Sequence, residues 1–457
     1  MNAYTEKIRV LALWLVVTFA CLLAATSSGA QEPEPVLEAE PDLNAEAEIE
    51  TGALTESEIE AEVNSEAEAA VKPAFQLPGE LSAELQVEAS AFLSPALYDG
   101  QEEVYASLAL QPEYFVDWAD GQQQFEAILF GRYDSHDKRR THFDVRELSW
   151  LVAGDLWQFR AGVSKVYWGV TESRQLVDII NQVDAVEDLR LQERLGQPMI
   201  NPALTTEYGT LSLFALPLFR ERAFPGPKGR LRPLLLVSTD RARYESPDED
   251  RHLDLAARYS HFLGPLDFGV SYFQGTAREP ALLGGRDRNG APILIPFYEL
   301  IRRGSLDTQL ILGGLALKFE GIYEEKENAP TENYFASVAG FEYTFVGIFG
   351  SLYDLGVIGE YLYDERLEDA PQPFDDDVFA GIRLVLNDAA GTEILAGAIV
   401  DRHRGTTLYQ VEASRRLGDS WKLRLEMQLV EDAPPVDQAV FGLRNDDLAR
   451  LTLSYFF

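Results

Sequence analysis

The sequence predicts an all-β chain, most of it closed into one transmembrane antiparallel up-and-down β-barrel of about 18 strands, with 16 as the alternative. Three observations carry that expectation. Long segments alternate apolar and polar residues with a period of two. Tight turns alternate with long charged connections. And the chain opens on what reads as a secretory leader, followed by an acidic linker expected to be disordered.

The leader comes first. "MNAYTEKIR" carries Lys7 and Arg9 ahead of the apolar run "VLALWLVVTFACLLAAT", and "SSGA" then sets Ser28 and Ala30 at cleavage-site spacing before Gln31. That order marks residues 1–30 as a signal peptide. A membrane anchor needs about 20 apolar residues, more than this run supplies. Cys21, the only cysteine, lies inside the leader. The mature chain is therefore expected to hold neither a disulfide nor a thiolate metal site.

Residues 31–76 read as the linker. Between Gln31 and Val71 there are 14 acidic residues and no basic ones. So little apolar surface cannot drive folding, and like charges keep the chain extended. The segment is also too short to be a folded plug domain, which argues against an energy-coupled receptor. The whole chain carries a net charge of −36, a balance that repels nucleic acid and sets that partner aside.

From residue 77 to 457 the barrel texture takes over. In "ELSAELQVEASAF", Leu81, Ala83, Leu85, Val87, Ala89 and Ala91 face one way and Glu84, Gln86 and Glu88 the other. In "WKLRLEMQL", Trp421, Leu423, Leu425, Met427 and Leu429 oppose Lys422, Arg424, Glu426 and Gln428. A soluble sandwich also alternates, but its strands run about five to six residues. Aromatics gather at segment ends (Tyr105, Trp118, Tyr133, Trp157, Tyr323, Tyr363, Trp421, Tyr455), as interfacial girdles require. In the final run, "RLTLSYFF", Leu451, Leu453, Tyr455 and Phe457 share one apolar parity.

That terminal pattern resembles the C-terminal signal of Gram-negative outer-membrane β-barrel proteins. The stretch "WQFRAGVSKVYWGVTESRQLVDIINQVDAVE" resembles the strand and following loop of porin-like families, most of all an uncharacterised one. The resemblance implies an outer-membrane location with the linker in the periplasm, and membrane lipid and lipopolysaccharide as neighbours. It also implies that the barrel assembly machinery reads Leu451, Leu453, Tyr455 and Phe457. Monomer and homotrimer both stay open. In porins the third outer loop folds into the lumen and narrows it.

Counting segments makes the stretch from Ser164 to Thr205 that third outer loop. A loop of this length usually has a function. Asp178, Asp184, Glu187, Arg190, Glu193 and Arg194 are its candidate constriction residues; the alternative is that these charges pair with one another on an outer surface. Strand parity assigns Arg132, Arg160, Lys318, Arg383, Arg416, Lys422, Arg424 and Glu426 to the lumen wall, together with Gln158, Glu320 and Glu412. An Arg or Lys facing lipid at the midplane would cost about 2–4 kcal/mol. Loop acids opposite a basic wall would set solute selectivity. Alternatively, Arg–Glu pairs merely brace the interior.

The expected function is passive diffusion of small polar or charged solutes. The rivals are a non-conducting structural or binding barrel plugged by its own loops, and an outer-membrane hydrolase. No "GxSxG", HExxH or metal-ligand cluster occurs, so no catalytic residue, cofactor or metal site is named. "PLFRERAFPGPKGRLRP" (Pro217 to Pro233) is too long for a tight turn. Insertion into the barrel and a shifted strand register both remain open there.

Overall fold

Side chains of an extended chain alternate between two faces, so each period-two run can bury its polar side only by closing on itself. That is what the computed structural model contains. It describes residues 78–187, 192–328, 332–367, 370 and 374–457. The expected leader, the linker and Arg190 lie outside the described residues.

The strands in chain order are β1 (Glu80–Phe92), β2 (Val104–Trp118), β3 (Gln123–Asp134), β4 (His142–Ala153), β5 (Trp157–Ser164), β6 (Gln197–Thr206), β7 (Gly209–Leu216) and β8 (Arg243–Tyr244). They continue with β9 (Asp254–Leu263), β10 (Leu266–Thr276), β11 (Ala281–Arg286), β12 (Pro292–Tyr298), β13 (Leu300–Leu312) and β14 (Leu315–Lys326). The last are β15 (Tyr334–Phe345), β16 (Asp354–Asp364), β17 (Asp376–Val385), β18 (Glu393–Asp401), β19 (Thr407–Leu417), β20 (Trp421–Glu431) and β21 (Leu448–Phe456).

All but β8, β11 and β12 belong to one 18-stranded sheet. Sequential wall strands pair antiparallel, and β21 pairs with β1, placing Leu451 opposite Ala89, Leu453 opposite Val87 and Tyr455 opposite Leu85. The sheet is closed and has no free edge, the condition for strands to cross hydrocarbon. Its outward face is apolar and uncovered: Leu81, Leu108, Leu110, Phe143 and Phe262 are all exposed. Hydrocarbon is the medium that suits such a face. Trp421 packs on Tyr455 at 4.6 Å, and Tyr455 stacks on Phe457 at 5.7 Å.

The connections sort by end. Tight turns such as 207–208, 264–265 and 313–314 close the end that holds Glu80 and Phe456. The opposite end carries the long connections 93–103, 135–141, 165–196, 217–253, 277–299 and 432–447. One expectation is corrected. The third long connection is shorter than Ser164 to Thr205, because Gln197–Thr206 is wall strand β6. Its prolines disguise it, since proline lacks the N–H that a central strand donates. The β6–β7 pairing is interrupted between Ile200 and Ala203, around Pro202. The place of Pro217 to Pro233, which the sequence left open, is in a long connection after β7. Residues 234–245 form no wall strand. Their β8 joins the hairpin β11–β12 in a separate three-stranded sheet.

That small sheet reaches across the mouth. It springs from connections flanking β9 and β10, yet Arg139, in the β3–β4 connection, donates to the Val237 carbonyl at 2.8 Å. Gly226 closes over the same corner, its N–H donating to Asp137 at 2.9 Å. A Cβ there would lie 2.4 Å from the Asp137 carboxylate, so the approach requires glycine.

Candidate functional site

Inward positions of the wall divide into two kinds, and the connection 165–196 lies between them. Around β6 to β19 the inward residues of the long-loop half mix apolar side chains with buried charges such as Arg303, Glu320, Glu324 and Glu360, and the apolar ones form one cluster. Leu176, Val177, Ile179 and Ile180 of the connection pack there with Phe214, Leu216, Phe273, Ile301, Ile322, Leu362 and Phe379. Burying each such side chain contributes roughly 1.5–3 kcal/mol. Val440, from the single-turn helix Gln438–Phe441, joins the same cluster. Trp168 packs edge-on against Phe214 at 5.6 Å, and the Arg258 guanidinium lies 5.1 Å from its ring.

The other side, around β20, β21 and β1 to β4, is ionic. Glu88 accepts from Arg140 through both oxygens, at 2.7 and 2.9 Å, and from Arg132 at 3.1 Å. Arg450 approaches Glu88 at 3.5 Å. Against these stands the far arm of the connection. Glu187 meets Arg132 at 2.8 Å, and the Glu187 carbonyl accepts from Arg450 at 3.1 Å. Asp184 accepts from Arg146 at 2.7 Å, with the His142 ring 3.7 Å away. Burial pushes the Asp184 carboxyl up, but His142 and Arg146 outweigh it and hold the group below the usual aspartate range. For Glu187 burial prevails: its carboxyl is pushed up despite Arg132 and Arg140.

The sequence-derived residues distribute as follows. Asp178 pairs with Arg194 at 2.9 Å within the connection, the aspartate side chain fully buried. Asp184 and Glu187 face basic wall residues, as above. Glu193 lies 3.3 Å from Lys165 and stays partly exposed. Arg132 is buried in the ionic cluster. Arg160 donates to Ser164 at 2.8 Å. Lys318 donates to Glu342 at 3.0 Å, and Arg383 joins Glu172, Glu342 and Glu393 at 2.5, 3.3 and 2.7 Å. Arg416 and Lys422 are cross-strand partners near the tight-turn end, with Arg424 on the same face. Arg416 and Arg424 are exposed there. Glu426 lies 3.9 Å from Arg450.

Other participants escaped sequence reasoning. Glu88, Arg140, Arg146 and Arg450 build the ionic cluster, and Glu360 of β16 meets the connection from the opposite wall. A usable signal existed for Glu360. It is the one charge in "VIGEYLY", where parity would have turned it inward. The near arm of the connection, 170–177, carries no charge pattern that announces its role.

No family model matches the chain, and no curated protein matches it. Among solved structures, the chain is similar to Wzi of Escherichia coli, described as a carbohydrate-binding β-barrel involved in group 1 capsule assembly, at 10% identity with a TM-score of 0.49 over 88% of each chain. It is also similar to Pseudomonas aeruginosa OccD3 (OpdP), at 10% identity and a TM-score of 0.48, covering 86% of this chain and 97% of that one. An engineered Rh. blastica porin aligns at 10% identity and a TM-score of 0.40, over 83% of this chain and 99% of the porin. The architecture itself, a closed 18-stranded antiparallel barrel, rests on the strand pairing described above. At such identities the likeness concerns fold alone.

Proposed function

We propose that the chain is an outer-membrane channel for passive diffusion of small polar or charged solutes, narrowed by the connection 165–196. One observation supports this reading above the others: the connection crosses the lumen and sets its acids against a basic wall, Asp184 on Arg146 at 2.7 Å and Glu187 on Arg132 at 2.8 Å. Opposed charges of this kind sort solutes by sign. The proposed constriction residues are Asp178, Asp184, Glu187, Glu193 and Arg194, together with Arg190, which lies outside the described residues. The lower wall follows, with Arg160, Lys318, Arg383, Arg416, Lys422, Arg424 and Glu426. On this reading residues 1–30 are a cleaved leader and 31–76 a periplasmic linker. Lipopolysaccharide borders the long-loop end, and the assembly machinery reads Leu451, Leu453, Tyr455 and Phe457. No catalytic role is assigned.

A second reading, a barrel plugged by its own loops that binds rather than conducts, is favoured by the apolar cluster and by the small sheet over the mouth. Single-channel recording of the refolded protein, with and without deletion of Asp178 to Arg194, separates the two. Larger and less selective currents on deletion support the constriction. A silent wild type that the deletion opens supports the plug.

A further inference from the structure

The near arm of the connection reaches strands far from those that launch it. It leaves β5 and returns to β6, yet its backbone closes around Glu320 on β14 and Glu360 on β16, on the opposite wall. Glu320 Oε1 accepts from the N–H groups of Val170 and Thr171, at 2.7 and 3.0 Å, and from the Thr171 hydroxyl at 2.7 Å. Its Oε2 accepts from the N–H groups of Leu176 and Val177 at 2.7 and 3.2 Å. Glu360 accepts from the N–H groups of Glu172 and Ser173 at 2.7 and 2.8 Å, and from the Ser173 hydroxyl. Glu320 is completely buried and Glu360 nearly so.

These are anion nests of the kind that successive backbone amides form around phosphate, but the anions are the protein's own wall carboxylates. Neither carboxylate has an Arg or Lys within 4.0 Å among the described residues. Backbone N–H groups, joined by the Thr171 and Ser173 hydroxyls, supply the counter-dipole. Gly169 makes the first approach possible: its φ is +120°, and a Cβ there would meet Glu320 Oε1 at 2.8 Å. The arrangement is specific for a carboxylate. Both oxygens of Glu320 face donors, so a glutamine would turn its NH₂ against N–H groups on one side.

We infer that Glu320 and Glu360 are the positioning residues that latch the 170–177 arm across the lumen, so that the width of the passage depends on two buried charges remote in sequence from the loop. The latch rests on the conduction reading only for its consequence, not for its existence. Hydrogen bonds to a charged group are stronger than neutral ones, and the arm makes several.

The test uses the full-length refolded protein in lipid. In Glu320→Gln and in Glu360→Gln, hydrogen exchange at amides 170–177 should accelerate by roughly tenfold or more, while wall strands keep their protection. Single-channel conductance should rise in step. In Glu320→Ala, added formate, small enough to fill the vacated nest, should restore the slow exchange. Unchanged exchange in both glutamine variants overturns the latch. Failure of formate to restore protection shows that packing rather than an anion holds the arm, and overturns it too. Accelerated exchange beside a silent wild type leaves the latch standing and removes the conduction reading.

Discussion

The two sides of the lumen hold one loop by opposite physics. On the β6–β19 side, the side chains of Leu176, Val177, Ile179 and Ile180 are held by burial against apolar wall residues, and the buried carboxylates of Glu320 and Glu360 take backbone amides rather than charged partners. On the β20–β4 side, Asp184 and Glu187 are held by Arg146, Arg132 and Arg140. Apolar packing is non-directional and tolerates small shifts of register. Buried ion pairs demand correct geometry and penalise the loss of one partner more than of both. The difference divides the loop: one stretch is anchored by packing, and the other has its charges fixed in place, which on the proposed channel reading are the charges a solute would meet.

Breaking the ionic side should have the largest effect. Arg132→Ala removes one of the two guanidiniums that Glu88 and Glu187 share, leaving only Arg140 between them, and should destabilise by about 3–5 kcal/mol, read from denaturant unfolding in lipid vesicles. Replacing the pair together, Arg132→Met with Glu187→Leu, should recover most of that loss. A double variant as unstable as the single would show that the cluster acts as a larger unit.

Breaking the apolar side should come next. Ile180→Ala should cost about 3 kcal/mol through lost contact and a residual cavity. Its signature is faster exchange along 176–180 with ion selectivity unchanged. A selectivity shift of the size seen in the ionic variants would erase the distinction between the two sides.

Acid should affect the sides unequally. Asp184 has a folded pKa below its unfolded value, so its contribution is fully present above the ordinary aspartate value of about 3.9 and fades only as pH falls through the lowered folded value. Glu187 runs the other way. Its folded pKa is raised, so protonation at falling pH favours the folded arm. Exchange at 183–187 should therefore stay slow from pH 7 to about pH 4 and accelerate below it. In Asp184→Asn that acid limb should vanish, whereas exchange at the apolar residues 179 and 180, beyond the amides that Glu320 accepts from, should show no such limb. Acceleration already near pH 6 would mean that Asp184 is not what holds the arm.

The smallest effect on stability should come from the tight-turn end. Arg424→Glu, at an exposed inward position, should change stability by no more than about 0.5 kcal/mol yet move the reversal potential in a salt gradient toward cations. An unchanged reversal potential would take Arg424 out of the solute's path.

Much of the wall was legible in the sequence. The run "WKLRLEMQL" sorts its residues onto the two faces that β20 displays, and the tight turns at 264–265 and 313–314 fall where Gly-containing stretches predict them. Two places resisted. Gln197–Thr206 hid behind Pro198 and Pro202, because a strand signal and a proline signal conflict and pairing with β5 decides between them. Residues 234–245 carry apolar runs of strand length, but β8 found its partner in a hairpin above the barrel rather than in the wall. The candidate site was less legible. Asp184 and Glu187 were visible as charges, whereas their partners Arg146 and Arg132 sit on other strands and nothing local names them.

What the sequence determined by itself is therefore the two-faced strand and the charge that must turn away from lipid. Both follow from the alternation of neighbouring side chains, a matter of one residue and the next. Only the closed structure decided which inward charges meet which loop atoms. Val170 lies 150 residues from Glu320, and Glu172 lies 188 residues from Glu360. No periodicity spans such distances, because the strand order around the barrel, and not the spacing along the chain, brings those groups together.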